Sequence, residues 1–164
     1  MGFLFFVFLK YILNYSTTMK KIFIGLLLIS LFTSITSELQ GQKKLETQTI
    51  TDLQTTPKYA FVLTTERHFK GVLSMYDLLI ENGLKIEAYE IVVKGMVVKE
   101  LTKDSELESL FEKYKGKVKV SVCSVAMEKL AVEAESLFDG LDITPTASVR
   151  MLQLQALGYN TLTY

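Results

Sequence analysis

The stretch Val118–Leu130, VKVSVCSVAMEKL, decides the fold. Val118, Val120 and Val122 alternate with Lys117, Lys119 and Ser121, the period of a β-strand with one face only partly covered. The alternation stops at Cys123 and Ser124. Met127, Leu130, Ala131 and Ala134 then recur at helical spacing. A strand that passes through a two-residue turn into a helix is the repeating half of a parallel α/β sheet.

Working outward, the same unit recurs. YAFVLTT (Tyr59–Thr65) reads as a buried strand, followed by the polar turn Glu66, Arg67 and His68. Phe69, Val72, Leu73, Tyr76, Leu79 and Ile80 then repeat at helical spacing, and Asn82-Gly83 supplies the stop. Lys85–Val93 is the second strand, and Lys94-Gly95 its turn. Met96–Lys103 reads as a further helical turn. Ser105 and Glu108 form a capping box ahead of Leu107, Leu110, Phe111 and Tyr114, and Gly116 closes that helix. Leu141–Thr144 is a short fourth strand closed by Pro145. Ser148 caps a last helix with Val149, Leu152 and Ala156 on one face, and Tyr159–Tyr164 is the final strand. Five alternations with short turns predict a three-layer α/β/α sandwich around a mainly parallel five-stranded sheet.

The chain ahead of this pattern is of another kind. Two apolar stretches, Phe3–Leu13 and Ile22–Phe32, are separated by NYSTTMKK. The second follows Met19, Lys20 and Lys21 and ends in small polar residues, the grammar of a secretory signal cleaved after Ser37. Neither reaches the ~18 apolar residues of a spanning helix. Residues 1–37 are therefore expected to be an apolar extension plus signal peptide, with Met19 as the true start. The mature protein is expected to be exported, periplasmic or secreted. An uncleaved anchor is the rival reading and the only route to a membrane partner. Residues 38–57, rich in Gln and Thr, read as a polar linker or loosely docked arm, and 58–164 as the folded domain.

Composition narrows the function. Beyond Gln42, 15 basic and 17 acidic side chains leave a net charge of −2, which is no footprint for nucleic acid. No Gly-rich phosphate loop follows the first strand. One His and one Cys cannot build a zinc site, so no metal and no cofactor are expected. No Ser stands in a nucleophile elbow. Glu106, Glu108 and Glu112, interleaved with lysines, read as a solvated face.

What remains is thiol chemistry or ligand binding. Cys123, the single cysteine, falls at the carboxyl end of a strand and beside a helix amino terminus, where free N–H groups and the helix dipole favour thiolate. Ligand crevices of open α/β sheets lie at that edge. Four turns converge there: 64–68, 94–97, 123–124 and 144–148. His68 is a candidate base or cation, or a solvated loop residue. Lys94 offers positive charge, Gly95 close backbone approach or turn punctuation, and Ser124 a helix-start N–H. Against a reactive Cys123 stands the common role of a lone cysteine as a small core hydrophobe.

The order of parts in EIVVKGMVVKELTKDSELESLFEKYKGKVKVSVCSVAMEKLAV resembles the DsrE/DsrF-like sulfur-relay proteins: a strand ending in a Gly turn, a helix, then a strand ending in Cys. ITPTASVRMLQLQALGYNTLTY is similar to the family's close, with its Pro/Ser turn, Leu-Gln pair and Gly-Tyr before a final strand. The likeness covers Tyr59–Tyr164. It implies a sandwich fold and homo- or hetero-oligomers, often trimers or hexamers, and a homo-oligomer, with a trimer as the first expectation, is expected here. It further implies a persulfide carried on Cys123, with a protein as sulfur donor or acceptor. The alternative is a non-catalytic oligomeric binding or interaction module whose thiol is silent.

Overall fold

The computed structural model describes residues 44–164, and Leu45–Tyr164 form one compact unit. The expected apolar extension and signal peptide, the expected cleavage after Ser37 and the start of the expected linker lie outside the described residues. Part of the stretch read as a linker is helical: α1 spans Thr47–Gln54. Leu45, Ile50 and Leu53 pack against the main core. The Leu45 N–H donates to Asn82 Oδ1 at 2.8 Å, and Gln54 and Lys85 exchange two hydrogen bonds. Three apolar residues without a sustained period hid this short amphipathic turn.

Five strands follow: β1 (Lys58–Leu63), β2 (Ala88–Val93), β3 (Lys119–Cys123), β4 (Leu141–Thr144) and β5 (Asn160–Thr163). All pairings are parallel, in the order β4-β3-β2-β1-β5. Strand residues alternate between two faces. Tyr59, Phe61, Leu63, Tyr89, Ile91, Val93, Val120 and Val122 join the larger core, which takes Phe69, Val72 and Leu73 from α2 (Glu66–Glu81). Leu107 and Phe111 of α3 (Glu106–Phe111) and Met127 of α4 (Ser124–Leu130) complete it. The opposite face carries Ala60, Val62, Val92 and Cys123. One helix, α5 (Ala147–Ala156), covers it with Ala147, Met151 and Leu154. The result is an α/β sandwich with one thick and one thin helical layer.

Local signals explain most boundaries. Ser105 Oγ accepts the Glu108 N–H, the expected cap, while the Glu108 carboxylate accepts the Asp104 N–H, one residue ahead of the box. Asn82 and left-handed Gly83 end α2. The turn after β2 is a 3₁₀ helix, Gly95–Glu100. Four expectations need correction. Strand pairing begins at Ala88, not at Lys85. Helix α4 ends at Leu130, because Ala131 adopts φ 53°, so Ala131 and Ala134 lie beyond it. Thr146, not Ser148, caps α5: its side chain accepts the Val149 N–H. The buried face of α5 is also the other one, since Val149, Leu152 and Ala156 are exposed.

The second face of β3 is only partly covered, as its alternation predicts: Lys119 is exposed, whereas Ser121 and Cys123 are buried. The Ser121 hydroxyl donates to Glu90 Oε1 at 2.7 Å. Glu90, also buried, is held in a fork by Arg150 of α5, with Nε and Nη2 each 2.7 Å from one carboxylate oxygen. A charge inside a strand needs such pairing to stay buried. The carboxylate in turn clamps α5 onto the thin side of the sheet.

Candidate functional site

Because every strand is parallel, the turns after β1, β2, β3 and β4 all open at the same edge. The order across that edge separates them. The turn after β3 is flanked by those after β2 and β4, whereas β1 lies one strand further away. The connections out of β3 and β4 also diverge: α4 packs into the thick layer and α5 covers the thin one. Adjacent strands whose connections leave on opposite faces open a crevice at their carboxyl ends, the usual ligand position in such sheets.

Cys123 occupies that crevice. It is the last residue of β3, pairs with Thr144 of β4, and is the residue from which α4 starts. Its side chain turns toward the thin layer, packed with Ala147 and Met151 of α5. The Ala147 N–H, the first of α5, donates to Cys123 Sγ at 3.4 Å. The first four N–H groups of a helix have no partner within it, so the sulfur takes one that would otherwise be free. That N–H stands at the positive end of a ten-residue helix.

Cys123 is 6 % exposed and also lines an open cavity of about 300 Å³. The other walls are Lys94, Gly95 and Met96 from the turn after β2, and Val125, Ala126, Lys129 and Leu130 from α4. Apolar groups dominate, and two ammonium groups provide the only charge in the lining. Gly95 is required for two reasons. Its φ is 72°, and a Cβ would lie 3.3 Å from Thr64 Cβ. The close approach is therefore to the neighbouring turn.

Of the five residues picked from sequence, Cys123, Lys94 and Gly95 meet in this cavity, and His68 and Ser124 do not line it. His68 follows β1, and its ring sits 5.1 Å from that of Tyr164. With β2 between β1 and β3, it is roughly two strand spacings, ~10 Å, from the thiol's strand. A role for His68 as base or counter-cation to Cys123 has no support in this arrangement. The Ser124 hydroxyl donates to the Pro145 carbonyl at 2.9 Å and ties the turns after β3 and β4 together. Met96 and Ala147 fall in turns that the sequence brings to this edge but carry no signal that singles them out, and Val125 and Lys129 of α4 were not expected at the site. Sequence reasoning missed the Glu90–Arg150 clamp, whose signal was visible: a lone carboxylate in the apolar strand AYEIVV.

Among the described residues no cluster of His, Cys, Asp or Glu could hold a metal, and no helix is long and apolar enough to cross a membrane. No family model matches the chain, and no curated protein matches it. Two solved structures have a similar fold. One is a protein of unknown function from Methanobacterium thermoautotrophicum, 19% identical with a TM-score of 0.58, over 65% of this chain and 98% of that one. The other is a conserved protein of unknown function from Bacteroides thetaiotaomicron, 17% identical with a TM-score of 0.53, over 68% of this chain and 98% of that one. At such identities the likeness is one of fold alone.

Proposed function

We propose that this protein is an exported, DsrE/DsrF-like carrier of sulfane sulfur, with the sulfur held as a persulfide on Cys123. The observation that carries the reading is the position of Cys123 Sγ. It accepts the first N–H of α5 at the β3–β4 crevice, and Cys123 is one of the residues around an open, mostly apolar cavity that also takes in Lys94. Loading is a displacement. The Cys123 thiolate attacks the outer sulfur of a donor persulfide, R–S–SH. The new S–S bond forms as the donor's S–S bond breaks, giving Cys123–S–SH and R–S⁻. No electron is gained or lost overall, and no metal or nucleotide takes part. Delivery repeats the step with an acceptor thiol as nucleophile and Cys123 thiolate as leaving group. The Ala147 N–H supports the sulfur anion in both directions, and Lys94 and Lys129 give the cavity a positive rim for an outgoing thiolate. The donor is a persulfide, low-molecular-weight or on a partner protein's cysteine, and the acceptor is a low-molecular-weight thiol or a partner protein's cysteine.

A second reading rests on the 6 % exposure of Cys123 and its packing among Ala60, Val92, Ala147 and Met151. On that reading the thiol is a small core hydrophobe and the protein is a binding module. Incubation with inorganic polysulfide, followed by intact mass, separates the two. The carrier gains one or more sulfur atoms that a reductant removes, and Cys123→Ser gains none. Equal, negligible uptake by both proteins leaves the silent-thiol reading standing.

A further inference from the structure

The cavity of about 300 Å³ at the carboxyl edge of the sheet has an unbalanced charge. Lys94 comes to it from the turn after β2 and Lys129 from α4, and no Asp or Glu is among the residues around it. Unpaired lysines on open surface are ordinary. Two that border one cavity from separate elements are a different matter, because a single bound anion can meet both.

Neither lysine has a partner. Lys70, Lys113, Lys115 and Lys119 each hold a carboxylate within 2.9 Å, whereas the Lys94 and Lys129 side chains make no hydrogen bond or ion pair with any described residue. Lys94 is also half-buried. A cation drawn partly out of water with no counter-charge costs free energy, and an anion beside it recovers that cost. The rest of the wall is apolar and wet: Met96 is 63 % and Val125 38 % exposed. Covering such side chains yields about 25 cal/mol per Å². The lining has no arginine fork and no hydroxyl, so a phosphate would find few of the donors it needs. The volume falls at the low end of small-molecule sites, ~300–1,000 Å³, and suits a compact ligand.

We propose that this cavity binds a small organic acid, one carboxylate on a compact apolar body. Lys94 and Lys129 meet the carboxylate, and Met96 and Val125 cover the body. Charge fixes the sign of the ligand and the apolar wall its other end, so neither a simple inorganic anion nor a neutral apolar molecule satisfies both. The proposal stands apart from the thiol reading. It asks nothing of the Cys123 sulfur, which packs toward the thin layer with Ala147 and Met151.

Calorimetric titration of the full chain, with a reductant present, tests it using hexanoate and phenylacetate, each beside its neutral amide. At least one acid is expected to bind at about 1 mM or tighter, and its amide at least ten-fold more weakly. Acetate, which lacks the body, and inorganic phosphate should also bind at least ten-fold more weakly. Lys94→Met and Lys129→Met should each weaken the acid at least three-fold. Met96→Glu, at a largely exposed site, should abolish binding. Circular dichroism checks that each variant folds. No binding of either acid at about 10 mM overturns the proposal. So do an acid and amide of equal affinity, phosphate as tight as the acid, or an affinity that both lysine variants leave unchanged, which would place the site elsewhere. No sulfur donor is present, so the result leaves the persulfide reading to its own experiment.

Discussion

Replacing Arg150 by Met tests the clamp that holds the thin layer, and with it the sulfur's N–H donor. The side chains of Arg150 and Glu90 are 22 % and 3 % exposed, and the contact is a fork with both bonds at 2.7 Å. With charge centres ~4 Å apart, the attraction is about 4 kcal/mol at an effective dielectric of 20. Met keeps most of the packing of the arginine stem, and the Ser121 hydroxyl still donates to Glu90. The partial exposure of Arg150 lets water recover a share. A loss of about 3 kcal/mol follows, at the low end for breaking a buried pair. For the unit Leu45–Tyr164, an unfolding entropy of about 2.1 cal/mol/K per residue converts this into roughly 12 °C of Tm. Urea unfolding at pH 7 reads it directly. Adding Glu90→Leu should recover much of the loss, minus about 1 kcal/mol for the unpaired Ser121 hydroxyl. A single-variant loss under 1 kcal/mol, or no recovery in the double variant, would refute the clamp.

Two further outcomes follow from named contacts. Burial alone would push the Asp77 carboxyl up, but hydrogen bonds from Lys113 and Tyr114 and the nearby lysine charges hold it below its ordinary value. A depressed carboxyl adds stability above its unfolded value of 3.8, and that contribution fades as pH falls through the folded value. Asp77→Asn should therefore cost about 0.5 kcal/mol at pH 7, small because the Lys113 and Asp77 side chains are 63 % and 31 % exposed and water screens their attraction, and nothing near pH 2. A gap that persists or widens in acid on urea titration contradicts this. Gly95→Ala forces a left-handed residue and a 3.3 Å contact onto Thr64, so it should destabilise by about 1–2 kcal/mol. Unchanged stability of Gly95→Ala in the same assay would mean that the turn shifts freely.

The parallel sheet was legible because each strand is a short apolar run and each helix has a stop or a cap: Gly83, Ser105, Gly116, Gly158. Where both sides of an element are apolar, periodicity loses its power. Helix α5 offers 147/151/154 and 149/152/156 as rival stripes, and only the sheet beneath it chooses. The end of α4 was missed because Ala131 turns left-handed without a Gly or Asn to announce it. The candidate site was half legible. A cysteine at a strand end, with Lys94 and Gly95 in the next turn, is a local pattern. The separation of His68 from Cys123 depends on strand order, which no local pattern contains. The N–H on the sulfur comes from Ala147, 24 residues away in sequence, and its backbone donor leaves no trace in residue type.

The most direct test of the account is the rate at which Cys123 is alkylated in the native protein at pH 7, compared with the same protein in urea. A reactive Cys123, reached through the cavity that residue borders, should be labelled within roughly ten-fold of the unfolded chain. A silent core thiol can react only when the structure opens, about 10³-fold slower or more. Native labelling in the first range, competed by inorganic polysulfide, is the predicted result. Labelling that appears only with unfolding would contradict the central claim and return Cys123 to the core.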